Sequence, residues 1–369
     1  LKFDYFSPDE KNRLSVFASA ANTDRDSYYG PGNDPLKAYG KTTDLTAMGG
    51  AQYVHTFDKC FFMPSDLTAG LEYNRDRLKD NMWGYNRHTD QTVNIYSAFL
   101  QNEWKNDRWG ILIGGRLDKH NMVDNVIFSP RANLRFNPTQ NINLRLSYSS
   151  GFRAPQAFDE DMHIENVGGT VAMIERAKDL KEEKSQSFSV SADMYHRFGA
   201  FQTNLLIEGF YTRLTDVFVL GKPYDRGDGI LVKTRSNGPG AKVMGLTLEG
   251  KVAYLSILQI QAGLTLQRSR YDEPHKWHDD APAEKKIFRT PDTYGYFTAT
   301  CTPIKPLSIA LSGTYTGRML VQRMDITAEN AELGKMPERK AEAIRTPRFF
   351  DLGVKLAYDF KYTKRLICN

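Results

Sequence analysis

The densest group of side chains able to bind metal or move protons is His275-Lys276-Trp277-His278-Asp279-Asp280. Imidazoles and carboxylates this close could hold a transition metal, a haem or an iron-loaded siderophore, and the same composition also makes a polar, solvated loop. A second group is aromatic. Tyr28, Tyr29, Trp83 and Tyr85 lie in polar stretches, with His88 nearby. Rings of this kind stack on flat ligands, or pack loop against loop. Asp159-Glu160-Asp161 and Glu182-Glu183-Lys184 read as solvated charge runs, with a divalent-cation site as the alternative. The chain contains no HExxH, GxSxG, phosphate loop or CxxC pair. A hydrolase would need a Ser–His pair assembled by the fold on one wall. No catalytic residue, metal site or cofactor is assigned, and the chain is read as not an enzyme.

What must position these residues shows best between Gln186 and Gly209. Phe188, Val190, Ala192, Met194 and Phe198 alternate with Ser187, Ser189, Ser191, Asp193, Tyr195 and Arg197. A period of two marks a strand with one apolar and one polar face. A tight turn at Gly199 follows, and Phe201, Leu205 and Ile207 then alternate with Gln202, Asn204 and Glu208. This predicts a long antiparallel hairpin. The same alternation recurs along the chain, as in Leu67–Tyr73, Phe128–Phe136, Ile142–Tyr148, Leu258–Leu266 and Phe350–Phe360.

About fifteen strands are predicted, most of roughly 9–14 residues, long enough to cross a bilayer when tilted. Short connections fall near positions 8, 60, 106, 139, 199, 256 and 304. They alternate with longer ones at 23–42, 76–91, 119–127, 151–185, 221–229, 271–289 and 322–346. Short turns on one rim and long loops on the other characterise outer-membrane barrels. Trp104, Trp109, Phe136, Phe198, Phe201 and Phe360 lie beside short turns, as an interfacial girdle would. A soluble β-sandwich uses strands of about 5–6 residues. Strict alternation has a physical cause in lipid, where an Arg on the apolar face costs about 2–4 kcal/mol at the midplane.

The bulk numbers agree. The chain has 369 residues, 12% aromatic residues, a net charge of +5 and a mean hydropathy of −0.52. No apolar run is long enough for a transmembrane helix, and low hydropathy does not exclude an alternating barrel. Acids and bases are mixed throughout, so nucleic acid is not an expected partner. Three cysteines, Cys60, Cys301 and Cys368, match no metal spacing. The expected fold is all-β: a transmembrane antiparallel up-and-down β-barrel, present in part, with residues 1–369 as one domain.

Two further motifs carry a resemblance. Tyr148-Ser149-Ser150-Gly151-Phe152-Arg153-Ala154-Pro155 resembles the SxGFRAP segment of TonB-dependent outer-membrane receptors. Asn237, Ala241 and Gly245 match the spacing of their N-x-x-x-A-x-x-x-G-x-E strand, expected here within 230–254. Thr247 stands where that motif has Glu, and Glu249 comes two residues later. Ser129-Pro130-Arg131 entering a strand is also similar, and the likeness covers essentially the whole chain.

The resemblance implies a barrel of about 22 strands filled by an N-terminal plug. By it the chain starts near the sixth strand, lacks the plug and stops about two strands early. It implies energised uptake of a scarce nutrient across the bacterial outer membrane: an iron–siderophore first, then cobalamin or haem. A passive porin or surface ligand-binding barrel is the alternative. Implied partners are outer-membrane lipid and lipopolysaccharide, the TonB complex acting through the plug, a small-molecule ligand and a surface lipoprotein. Ligand contacts would come from long-loop side chains, here Tyr28, Tyr29, Trp83, Tyr85, His88, His275, Trp277 and His278. His163 joins them because similar haem receptors place a His soon after the FRAP segment, although their Asn-Pro box is absent here.

Overall fold

The computed structural model describes residues 1–28, 39–83, 87–157, 165–167, 170–227, 231–278, 281–326, 339–363 and 366–368. Every regular element is a strand. In chain order these are β1 (Lys2–Phe6), β2 (Asn12–Tyr28), β3 (Tyr39–Cys60), β4 (Met63–Met82), β5 (Arg87–Lys105), β6 (Trp109–His120), β7 (Ile127–Thr139) and β8 (Ile142–Arg153). There follow β9 (Glu165–Val167), β10 (Thr170–Arg176), β11 (Glu183–Phe198), β12 (Phe201–Thr215), β13 (Phe218–Asp225), β14 (Leu231–Asn237), β15 (Ala241–Tyr254) and β16 (Leu258–His275). The last are β17 (Glu284–Lys286), β18 (Thr293–Ile304), β19 (Leu307–Thr316), β20 (Leu320–Ile326), β21 (Arg339–Arg345), β22 (Phe349–Tyr358), β23 (Phe360–Thr363) and β24 (Leu366–Cys368).

The wall is a single antiparallel sheet in the order β1-β2-β3-β4-β5-β6-β7-β8-β11-β12-β15-β16-β18-β19-β22, with β17 attached to β16. Its strands run up and down in sequence order, and β1 and β22 form its two edges. The expected hairpin is present: β11 and β12 pair in unbroken register from Lys184↔Thr215 to Phe198↔Phe201. Gly199 takes φ +57° in its turn, a conformation that glycine adopts without steric cost.

Polarity is inverted relative to a water-soluble protein. Leu71, Leu146, Val190, Val354 and Leu356 point outward and are exposed, while Ser15, Thr68, Gln91, Ser97 and Thr265 are buried. An apolar outer belt over a polar interior is what a sheet in hydrocarbon requires, where backbone polar groups pair strand to strand. Among the described residues no helix is long and apolar enough to cross a membrane.

The structure corrects several loop boundaries. Within the predicted loops 23–42 and 76–91, residues 23–28, 39–42, 76–82 and 87–91 are strand, because β2 and β3 remain paired to Tyr28↔Tyr39 and β4 and β5 to Met82↔Arg87. Those stem ends have polar residues on both faces. Backbone pairing continues there without the apolar period that identifies a strand in sequence. The stretch 230–254 is not one strand: β14 ends at Asn237, and β15 begins at Ala241 after Gly238-Pro239-Gly240. The strand β14 belongs instead to a small sheet, β13-β14-β10-β9, in which β10 and β14 run parallel. The strands β20 and β21 pair from Leu320↔Arg345 to Ile326↔Arg339, where a loop was predicted.

Candidate functional site

The FRAP segment lies where β8 leaves the wall at the long-loop rim. Phe152 packs on a buried cluster of Val123, Ile127 and Ala154. Arg153 lies 5.5 Å over the Phe218 ring, which ties this corner to β13. The Pro155 carbonyl accepts a hydrogen bond from Arg176 Nη1 at 3.0 Å. The same nitrogen donates to Gln91 Oε1 at 2.7 Å, and that oxygen also accepts the Ala157 N–H at 2.8 Å. Through Gln91, Arg176 and Pro155, the wall, the corner and the small sheet become one bonded unit.

Two buried polar groups brace it. Asp80 accepts from Thr42 Oγ1 at 2.7 Å and from Arg87 Nη2 at 2.7 Å, fixing three neighbouring strands together. His120 is fully buried at the end of β6. Its Nδ1 accepts the Met122 N–H at 3.0 Å, and Nε2 lies 3.3 Å from Gln156 Oε1. It follows the roughly ten residues of β6 that suffice to cross hydrocarbon. Burial lowers its pKa, with the Gln156 contact opposing.

Against this unit is a cavity of about 630 Å³ whose lining includes Arg87, His88, Pro155, Met173, Arg176 and Arg226. Lys178 adds a fourth formal cation to the lining, and Glu175 is its acid. Glu175 is paired with Arg226 at 3.9 Å. Asp80 holds Arg87 from behind the lining. Three guanidinium groups and one ammonium in one lining offer directional donors to a bulky anionic ligand.

The aromatic and histidine candidates fall at the long-loop ends of separate hairpins. Tyr28 meets Tyr39 edge-to-face, with ring centres 5.4 Å apart. Trp83 is exposed at the tip of β4. His88 lines the cationic cavity and contacts Asn81 Oδ1 at 3.0 Å. His275, beyond the spanning part of β16, has its pKa lowered by burial and partly restored by a hydrogen bond to the Leu220 backbone. Trp277 lies 5.8 Å from His278 and 6.4 Å from Phe288. Among the described residues no set of three or more His, Cys, Asp or Glu is placed to hold a metal. Tyr29, Tyr85, His163, Asp279 and Asp280 lie outside the described residues.

The Asn–Ala–Gly motif has structural partners. Asn237 Nδ2 donates to the carbonyls of Lys181 and Asp216 at 3.1 and 2.8 Å, and its Oδ1 accepts the Lys181 N–H at 2.8 Å. It thus clamps two connections to the end of β14. Ala241 is fully buried. At Gly245 a Cβ would stand 2.6 Å from both the Leu266 carbonyl and the Phe210 ring, so close approach requires glycine. Glu249 lies two residues beyond Thr247 and therefore on the same face of β15. It bonds Gln261 at 2.9 Å and Lys251 at 3.0 Å. The shifted Glu thus keeps its side of the wall. Sequence reading missed Asp80 and Arg87, which meet across one loop, and Gln91, His120 and Arg176, whose partners Gln91–Arg176 and His120–Gln156 are far apart in the chain.

The family model described as TonB dependent receptor-like, β-barrel matches residues 2–366. Similar solved structures include the siderophore receptor PirA from Acinetobacter baumannii, at 15% identity and a TM-score of 0.69, covering 98% of this chain and 55% of that one. A mutant of the ferric enterobactin receptor PfeA from Pseudomonas aeruginosa matches at 15% identity and a TM-score of 0.65, covering 96% and 52%. The ferric-catecholate import receptor Fiu from E. coli K12 matches at 12% identity and a TM-score of 0.66, covering 99% and 57%. The chain therefore spans about half the length of these structures. No curated protein matches. With the family model spanning residues 2–366 and so every strand of the wall, the chain belongs to the TonB-dependent receptor-like β-barrel family.

Proposed function

We propose that the receptor carrying this wall takes up a ferric siderophore across the outer membrane, with energy delivered by TonB through a plug domain. The carrying observation is the cavity at the long-loop rim lined by Arg87, Arg176, Arg226 and Lys178, with Asp80 holding Arg87 and Glu175 on Arg226. An anionic iron complex complements that charge, and a cavity of about 630 Å³ accommodates a ligand of that bulk. The long-loop rim is then extracellular and the short turns periplasmic. Neighbours described as siderophore and ferric-catecholate receptors support the same class of cargo.

The test is a set of binding titrations on the full receptor with anionic ferric siderophores, haem and cobalamin, paired with uptake in cells with and without TonB. Saturable ferric-siderophore binding with TonB-dependent uptake is expected. Uptake that persists without TonB would identify a passive channel. Tight binding of cobalamin or haem alone would reassign the cargo.

A further inference from the structure

The interior face of β7 and β8 is basic without compensation. Arg131 and Arg135 on β7 and Arg145 on β8 alternate with Leu134 and Leu146, which are exposed on the outer face. Neither strand contains an Asp or a Glu. Arg116 stands on the same interior face of β6, opposite Ser129 and one rung nearer the long-loop rim than Arg131. Glu72 and Asp118 hold it at 2.6 and 2.8 Å. The arginines of β7 and β8 have no such counter-charge.

Arg135 and Arg145 are direct cross-strand partners. Like charges so placed repel, and this wall keeps the pair without a carboxylate beside it. Each turns to a neutral acceptor. Arg135 Nη2 donates to the carbonyls of Asn106 and Trp109 at 2.9 and 3.4 Å, and its Nε is buried with no hydrogen-bond partner. Arg145 Nε donates to Asn143 Oδ1 at 2.7 Å. Arg131 is exposed and makes no ion pair among the described residues. Acids return only on the following strands, where Asp193, Glu208 and Glu249 share the interior face.

These arginines lie along open space that leads down from the rim. A cavity of about 380 Å³ opens at Phe152, close in the chain to Pro155 of the rim cavity. It shares Glu72, Arg116 and Ser129 with a further cavity of about 460 Å³, which Arg131, Thr68 and Gln101 also line. Ser149 and Ser187 continue the face beside Arg131, and Ser191 beside Arg145, with side chains too short to cover them. Arg131 lies about 7 Å below Arg116, and the Arg135–Arg145 pair about 13 Å below Arg131. An anion entering a polar passage loses hydration and needs donors in its place, and several weak sites in series let it both enter and leave. Guanidinium groups free of carboxylates supply such sites.

We propose that the interior face of β6, β7 and β8 is the transit wall for the anionic cargo, with Arg131, Arg145 and Arg135 as successive contacts below the rim cavity. The assignment rests on the anionic cargo proposed above. It adds which sector of the wall that cargo follows and which residues select its charge. The sector carrying Asp193, Glu208 and Glu249 is the one the cargo avoids.

The experiment is uptake of a radio-iron-labelled ferric tris-catecholate by cells carrying the full receptor. Wild type is compared with Arg131→Gln combined with Arg145→Gln, and with the corresponding pair of Lys substitutions. Surface capture, read in cells without TonB, should be unchanged in both variants, since neither residue lines the rim cavity. That also shows both variants to be folded. The Gln pair should lower the maximal uptake rate about ten-fold, as for loss of one charge-assisted contact, and the Lys pair should retain most of it. Sensitivity to vancomycin, which reports an opened lumen, should not rise. Equal uptake by wild type and the Gln pair overturns the transit wall and leaves the cargo reading standing. Lost uptake accompanied by vancomycin entry also overturns it, because the arginines would then anchor what fills the lumen. So does weakened capture with an unchanged maximal rate. A wild type that neither binds nor takes up the complex overturns the cargo reading itself, and the transit wall with it.

Discussion

At the short-turn rim, Trp109 stacks on Phe136 at 4.3 Å, Phe62 on Trp104 at 5.7 Å, and Phe201 meets Tyr254 at 4.7 Å. Trp104 Nε1 donates to the Cys60 carbonyl at 3.0 Å, and Asn106 Oδ1 caps its turn by accepting the N–H groups of Arg108 and Trp109. At the opposite rim Asp80, Arg87, Gln91 and His120 on wall strands, and Arg176 and Asn237 on the small sheet, are tied by hydrogen bonds, the longest of which joins residues 85 apart in the chain. One end of the wall is fixed by rings that pack each short turn on its neighbour. The other is fixed by polar latches, several of which join segments far apart in the chain. Ring contacts reach only the adjacent turn, whereas the long latches couple distant segments, so damage should stay local at the first rim and spread at the second.

The harshest test of that contrast is Asp80→Leu. The Asp80 and Arg87 side chains are only 2% and 10% exposed, so loss of the carboxylate leaves a buried cation without its counter-charge. A cost of about 3–5 kcal/mol is expected. It should appear as lost hydrogen-exchange protection at the outer ends of β3, β4 and β5, with the turns near Phe61 and Asn106 unchanged.

Asn237→Ala comes next. It removes three hydrogen bonds from two connections, and about 2 kcal/mol is expected. Limited proteolysis should open residues 177–183 and 216–240 together. Cleavage at only one of the two connections would contradict coupling through Asn237.

Trp109→Ala probes the short-turn rim. Loss of the stack on Phe136 should cost about 1 kcal/mol beyond lost area. Tryptic and exchange patterns should change at β6 and β7 alone, and ligand titrations should be unaffected.

The smallest expected effect depends on pH. Burial holds His120 below its ordinary pKa of about 6.5. The folded state therefore binds fewer protons than the unfolded one once pH drops below that value. The stability of this corner should decline as pH falls through about 6.5 and level off below the folded pKa, with no change above it. Exchange protection of residues 120–127 and 152–157, followed from about pH 7.5 to 5.5, reads this directly. His120→Gln should flatten the profile, and a profile unchanged by that substitution would remove His120 as its source.

The rims also differ in how far they were legible. Trp104, Trp109, Phe136 and Phe198 stand beside turns already visible as short polar breaks, so the girdle could be read from position alone. The Phe152–Pro155 and Asn237–Gly245 motifs were visible as strings, but their partners were not. Nothing in the order of residues says that Arg176 reaches Gln91, or that Asn237 closes over Lys181 and Asp216. The predicted strand over 230–254 failed for the same reason. Lys233 to Asn237 are polar on both faces, so no apolar period separates wall from rim there. His275, Trp277 and His278 read as one cluster, yet His275 bonds toward Leu220 while Trp277 turns to Phe288.

The sequence by itself determined the wall: its alternating strands, its two kinds of connection and the sides on which Glu249 and Val190 lie. Lipid imposes that pattern, because each outward residue must be apolar and each backbone group paired within the sheet. Only the tertiary structure decided the rim sheet, the cavity lined by Arg87, Arg176 and Arg226, and the buried Asp80 and His120. Those arise where chain segments far apart in sequence converge in water or at the interface, where contact geometry governs and hydrophobic period is silent.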